Sequence, residues 1–111
     1  MLELKEHELV VIERLLRDAW KTDVLKELRQ NAAVTDFTSS PGGYYLTIKH
    51  PNLALKQTAY SKPTLIGEVD DITVGYVVFV EEGQLTLECH GWCGKDVPED
   101  FRSRNVEVKE P

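Results

Sequence analysis

This sequence has little of what marks a secreted or membrane-spanning protein. Only two of its 111 residues are cysteines, too few for a small domain held together by disulfides. It contains no run of about 18 apolar residues, and its N-terminus lacks the basic and apolar segments of a secretory signal peptide. We therefore expect a cytoplasmic protein that is neither exported nor bound to a membrane.

The sequence also lacks a catalytic or cofactor motif. Residues 39–43, Ser-Ser-Pro-Gly-Gly, are not followed by the Lys-Ser/Thr pair and helix of a phosphate-binding loop, so a turn is predicted there. Asp70 and Asp71 are adjacent, and neighbouring side chains of a strand point to opposite faces, so a turn is favoured over a magnesium site. We expect no cofactor, and a non-enzymatic protein is favoured over an enzyme.

Length and composition predict one globular domain. The chain is 41% hydrophobic and 29% charged, which is typical of a folded protein rather than a disordered one. A length of 111 residues is enough for one hydrophobic core. Residues 1–111 are therefore expected to form a single domain, helical over 1–32 and β-rich over 33–111.

The helical part contains two amphipathic stretches. The first shows apolar residues at the spacing of one helix face, and the second restarts after Thr22 and Asp23, which can cap a helix. Their apolar positions are Leu9, Ile12, Leu16, Ala19 and Trp20, then Val24, Leu25, Leu28 and Ala32. We predict a helix pair, or one helix bent near Lys21, that covers a sheet.

The β-rich part contains two predicted hairpins. Strands 34–38 and 44–49 flank the turn at 39–43, and strands 72–80 and 85–89 flank a turn at 81–84 that contains glycine. Residues 65–69 and 106–108 add further strands, while residues 50–63 form a loop or an irregular edge strand. The predicted fold is α+β, with an N-terminal helix or helix pair packed on a mostly antiparallel sheet of about five or six strands.

The net charge of −6 is concentrated in the C-terminal half. Residues 1–62 carry nine Lys/Arg against eight Asp/Glu, whereas residues 63–111 carry four against eleven. Such a negative field disfavours binding of nucleic acid and favours a basic protein partner, although a solvated surface explains the same charge.

Three aromatic residues, Tyr45, Tyr60 and Trp92, are candidate exposed anchors for a partner. The candidate binding residues are Glu68, Asp70, Asp71, Glu81, Glu82, Glu88 and Trp92.

The segment Cys89-His90-Gly91-Trp92-Cys93 is the one grouping that resembles a chemical site. Cys89, His90 and Cys93 offer three ligands for a metal, which His7 or His50 would have to complete, or a thiol with a nearby base. Cys89 is also in phase with Leu85 and Leu87, as a core residue would be. A metal- or thiol-dependent enzyme is therefore the alternative hypothesis.

The predicted second hairpin resembles that of a group of small bacterial proteins. The resemblance is carried by Gly67-Glu68-Val69 and by residues 74–88, where Gly75 precedes Phe79-Val80-Glu81-Glu82-Gly83-Gln84-Leu85. Some of these proteins look like immunity proteins encoded beside polymorphic toxins. The resemblance implies no catalytic residues to carry over, and the charge asymmetry and the lack of a catalytic set favour a binding role. We therefore expect a non-enzymatic binding or immunity-type protein, with a structural module that forms homo-oligomers as a further alternative.

Overall fold

The computed structural model describes residues 3–17, 26–27, 29–30, 33–49, 59–62, 64–81 and 83–111. The helix α1 (Glu6–Leu16) comes first, and residues 26–27 and 29–30 are also helical. The rest of the predicted second helical stretch lies outside the described residues. The strands are β1 (Ala33–Ser40), β2 (Gly43–Lys49), β3 (Ala59–Tyr60), β4 (Ile66–Val69), β5 (Ile72–Glu81), β6 (Gln84–Gly91) and β7 (Glu107–Lys109).

These strands form one antiparallel sheet, and the α+β prediction is confirmed. The strand order is β1-β2-β6-β5-β4-β7, and β3 pairs with β5 at Phe79 and Val78. The sheet therefore has seven described strands rather than five or six. The additional strand is β3, which lies at the end of the stretch predicted as a loop or an irregular edge strand.

Both predicted hairpins are present. Pro41 and Gly42 form the turn between β1 and β2, and Gly83 lies in the turn between β5 and β6 with a φ of 72°. That positive φ is favourable for glycine because it has no Cβ. The β5–β6 hairpin places β5 inside the sheet, between β6 on one side and β3 and β4 on the other.

The core lies between α1 and one face of the sheet, the inner face. Alternate side chains of each central strand point to this face, as the period of a strand requires. Cys89 is buried there in phase with Leu85 and Leu87, as predicted. The main core residues are Val11, Ile12, Leu15, Leu16, Tyr44, Leu46, Ile48, Val74, Tyr76, Val78, Val80, Leu85, Leu87 and Phe101.

Tyr60 corrects one sequence prediction. It was a candidate exposed anchor, yet its side chain is only 7% exposed and belongs to the core. The physical reason is its pairing with Val78, which directs both side chains to the inner face.

Among the described residues, no helix is long and apolar enough to span a membrane.

An ion pair is buried in this core, between α1 and the C-terminal part of the chain. Glu8 is fully buried, and its carboxylate accepts hydrogen bonds from Nε and Nη2 of Arg102 at 2.7 and 2.8 Å. The Tyr44 hydroxyl donates to the same carboxylate at 2.6 Å. The backbone N–H of Lys5 also donates to it, at 2.8 Å. Four donors therefore satisfy the buried charge, as burial of a carboxylate requires.

Arg102 is held on its other sides as well. Its Nη2 donates to the carbonyl of Glu3 at 2.7 Å, and its guanidinium lies over the rings of Phe37 and Tyr44. The ring centroids are 5.0 and 5.7 Å from Cζ, which is within the range of cation–π attraction. Arg102 thus joins the N-terminal segment, β1 and β2 to the C-terminal segment.

We expect Arg102→Met to lower the free energy of unfolding by about 3–5 kcal/mol, because it leaves the Glu8 carboxylate buried without its counter-charge. Urea denaturation measures this loss. The double variant Glu8→Leu/Arg102→Met removes both charges and is expected to recover most of the stability. A single variant that unfolds at the wild-type urea concentration contradicts this account.

His7 makes the stability depend on pH. Its side chain is buried against Phe101, and Nε2 donates to the carbonyl of Arg102 at 3.3 Å. Desolvation lowers the pKa of His7 below its ordinary value of 6.5, more than the neighbouring Glu8 raises it. The unfolded chain therefore binds a proton more readily than the folded protein does.

We expect stability to fall as the pH drops through 6.5, and the loss to be complete below the lowered pKa of folded His7. In His7→Gln no imidazole titrates at this position, so the dependence of the unfolding free energy on pH is shallower. Urea denaturation between about pH 5 and 7.5 covers the window in which histidine titrates. His90→Gln, at an exposed position, is the matched control, and a slope reduced equally in both variants contradicts the assignment to His7.

Candidate functional site

The face of the sheet opposite α1, here called the outer face, carries a different set of side chains. Its centre consists of two rows that run across β2, β6 and β5. One row pairs Tyr45 with Glu88 and Glu88 with Val77, and the next pairs Thr47 with Thr86 and Thr86 with Phe79.

Side-chain hydrogen bonds tie these rows together. The Tyr45 hydroxyl donates to Oε1 of Glu88 at 3.2 Å, and this carboxylate raises the pKa of Tyr45. The hydroxyl oxygens of Thr47 and Thr86 are 3.1 Å apart. Such cross-strand contacts restrict the rotamers of the side chains, so the face presents a defined surface.

The outer face also exposes apolar surface. Tyr45 is 48% exposed and Phe79 is 38% exposed, and they are the two exposed large hydrophobic residues in the described part of the chain. Val77, next to Phe79 on the same face of β5, is half-buried. Single exposed apolar residues are ordinary, but both of these lie on neighbouring rows of one face.

The charge of the outer face is negative. Strand alternation and register place five described carboxylates on this face or at its rim, against two lysines. The carboxylates are Asp36, Glu68, Glu81, Glu88 and Glu107, and the lysines are Lys49 and Lys109. Lys109 forms ion pairs with Glu68 and Glu107, and its contact with Glu68 lowers the pKa of that carboxyl.

The predicted binding residues are divided among different places. Glu68, Glu81 and Glu88 belong to the outer face, whereas Asp70 and Asp71 form the turn between β4 and β5. Trp92 is half-buried in a short 3₁₀ helix after β6. Asp70 has a φ of 55° and pairs with Arg104 at 3.2 Å. Glu82 lies outside the described residues.

Two contributors to the outer face are not among the candidate binding residues predicted from the sequence. They are Val77 and Phe79, the apolar residues of β5 that point to this face. The available signal was their alternation with Tyr76 and Val78, which shows that they share a face but not whether anything covers it.

The Cys-His-Gly-Trp-Cys segment is not assembled into one site. Cys89 is buried on the inner face, and His90, the next residue of the strand, is exposed on the outer face. Cys93 is exposed in the 3₁₀ helix, and both thiols are free. Burial raises the pKa of the Cys89 thiol, which disfavours the reactive thiolate. His50 lies outside the described residues, and within the described part no group of three or more His, Cys, Asp or Glu side chains could hold a metal.

A cavity of about 450 Å³ opens beside the buried ion pair. Phe37, Tyr44 and Phe101 form part of its wall, with Asp96 and Glu99 also lining it. The Arg102 guanidinium that reaches it is already paired with Glu8. Burial raises the pKa of the Tyr44 hydroxyl, so that group stays protonated. The outer face, which exposes two large hydrophobic residues beside a carboxylate, is the stronger candidate.

No family model, curated protein or solved structure matches this chain.

The two thiols are expected to differ in reactivity. A thiol-reactive dye at neutral pH should label Cys93 in the folded protein, whereas Cys89 should react only after unfolding, because it is buried and its pKa is raised. Absorbance of the released dye measures the number of reactive thiols, and Cys93→Ser should leave none in the folded protein. Rapid labelling of Cys89 in folded Cys93→Ser would support the thiol-dependent enzyme instead.

Proposed function

We propose that this chain is a non-enzymatic protein-binding protein of the immunity type, and that its outer face covers a basic surface of its partner. The observation that carries the proposal is the position of Tyr45 and Phe79. Tyr45 lies beside Glu88 and Phe79 lies in the next row, on a face whose charges are mainly negative.

The composition of the face suits protein recognition. Tyrosine contributes strongly to interfaces because its ring is large and its hydroxyl is polar. Glu88 lies between Tyr45 and Val77, where a partner's lysine or arginine would meet a carboxylate flanked by apolar surface. The surrounding carboxylates would speed association with a basic partner.

The dimensions of the face support the same proposal. Five strands about 4.8 Å apart and about seven residues long cover roughly 600 Å². A stable interface buries about 800 Å² on each partner, so the outer face with its rim would supply most of that area.

The immunity-type role is supported by the resemblance in the second hairpin. That hairpin contributes Val77, Phe79 and Glu88 to the outer face. A second copy of the chain is a less suitable partner, because two acidic faces brought together would repel each other. The cysteines and His90 do not form a common site, so the enzyme alternative has no comparable support.

The partner can be identified by site-specific photo-crosslinking. A photoreactive phenylalanine analogue placed at Tyr45 in the native host is expected to crosslink one basic protein, which mass spectrometry then identifies. The same analogue at the exposed Lys26 is the matched control and should not capture that protein. A crosslink between two copies of the chain would favour the oligomerisation alternative, and capture of the same proteins at both positions would contradict the proposal.

We expect Glu88→Lys and Tyr45→Ala each to weaken binding of the identified partner by at least about tenfold, because each removes a central contact of the interface. Isothermal titration calorimetry measures the affinity. Asp71→Lys makes the same change of charge in the exposed β4–β5 turn and should change the affinity much less. Equal losses in Glu88→Lys and Asp71→Lys would show that net charge, rather than this face, determines binding.

A further inference from the structure

A second pocket lies beside the start of α1 and shares Arg102 with the first cavity. Its volume is about 490 Å³, and it is formed by the first turns of α1 and the chain between residues 102 and 108. We call it the helix-start pocket. Its floor contains the apolar side chains Val10, Val106 and Val108, and its polar lining includes Ser103 and Asn105.

The helix-start pocket is basic although the protein is acidic. Four cationic side chains and His7 line it, against the single carboxylate of Glu6. The four cations are Lys5, Arg14, Arg102 and Arg104. Arg29 binds the Glu6 carboxylate through Nη1 at 3.0 and 2.8 Å and also pairs with Glu13, so it compensates the charge of Glu6 only in part.

Two of these cations are left to act on a ligand. Arg102 is neutralised by Glu8, and Arg104 by Asp100 and Asp70. Lys5 and Arg14, by contrast, form no side-chain ion pair with any residue that the structure describes. Unpaired cations beside a concave surface raise the local concentration of anions.

The start of α1 adds backbone donors to the same place. The helix begins at Glu6, and the N–H groups of Glu6 and His7 meet no backbone acceptor among the described residues. The first N–H groups of a helix and its dipole attract anions. The His7 side chain also lines the pocket, but its Nε2–H donates to the Arg102 carbonyl, so Nδ1 carries a lone pair and is not a donor to an anion.

We infer that the helix-start pocket binds a small phosphate monoester. The phosphate oxygens would accept from Lys5, from Arg14 and from the backbone N–H groups at the start of α1, a set of donors that suits a tetrahedral anion. The short apolar body of the ligand would rest on Val10, Val106 and Val108. This site is separate from the outer face, and the inference does not depend on the proposed function.

Phenyl phosphate is the probe that tests the inference, because it joins a phosphate to a compact apolar body. In ¹H–¹⁵N NMR titrations at constant ionic strength, the amide signals of Glu6 and His7 are expected to shift and to saturate. Phenol, which lacks the phosphate, should leave them in place. A linear response without saturation, or equal shifts with sodium chloride, would overturn the inference.

Arg14→Gln is expected to weaken phenyl phosphate binding about tenfold, because it removes one charge-assisted contact. Arg17→Gln, an exposed position one turn further along the chain and outside the pocket lining, is the matched control and should retain wild-type affinity. Equal weakening by both variants would contradict the location of the binding site in this pocket. Tighter binding of benzoate than of phenyl phosphate would contradict the inference that the ligand is a phosphate monoester. Unchanged amide dispersion in the NMR spectra confirms that each variant is folded.

Discussion

The buried ion pair of Glu8 and Arg102 determines how the parts of this molecule are arranged. Its members are 94 residues apart in sequence, and Tyr44, Phe37 and the N-terminal backbone all contact the pair. Breaking it would leave a charge without a partner in the core, which is far more costly than breaking a surface pair. The position of α1 on the inner face is therefore specified by polar contacts as well as by apolar packing.

The position of α1 explains the difference between the two faces of the sheet. The helix covers the inner face, so alternate residues of β2, β5 and β6 are apolar there and polar or mixed on the outer face. On β5, however, Val77 and Phe79 are apolar although they point outward. Phe79 is more than a third exposed, so the exposed part of its ring adds little to the stability of the folded monomer.

Much of the fold could be predicted because its signals are local. Alternating apolar residues and a glycine at the turn are enough to specify the β5–β6 hairpin, and the helical spacing of Leu9, Ile12 and Leu16 specifies α1. The buried role of Glu8 has no such signal, because a glutamate in the first turn of a helix is ordinary on a surface. Only the distant Arg102 makes its burial favourable. Tyr60 was misassigned for the same reason, since its partner strand is remote in sequence.

The positions of the carboxylates in the candidate site also depend on contacts between residues distant in sequence, which the sequence alone does not reveal. A count of charges predicts the sign of the field but not where the carboxylates lie or which of them are already paired. Glu68 pairs with Lys109 and Asp70 with Arg104, so an incoming cation would have to compete with an existing ion pair at either position. Glu88 accepts only a hydrogen bond from Tyr45 in the described part of the chain, and its charge is not neutralised. Glu88 therefore keeps more of its attraction for a cation than Glu68 or Asp70 does.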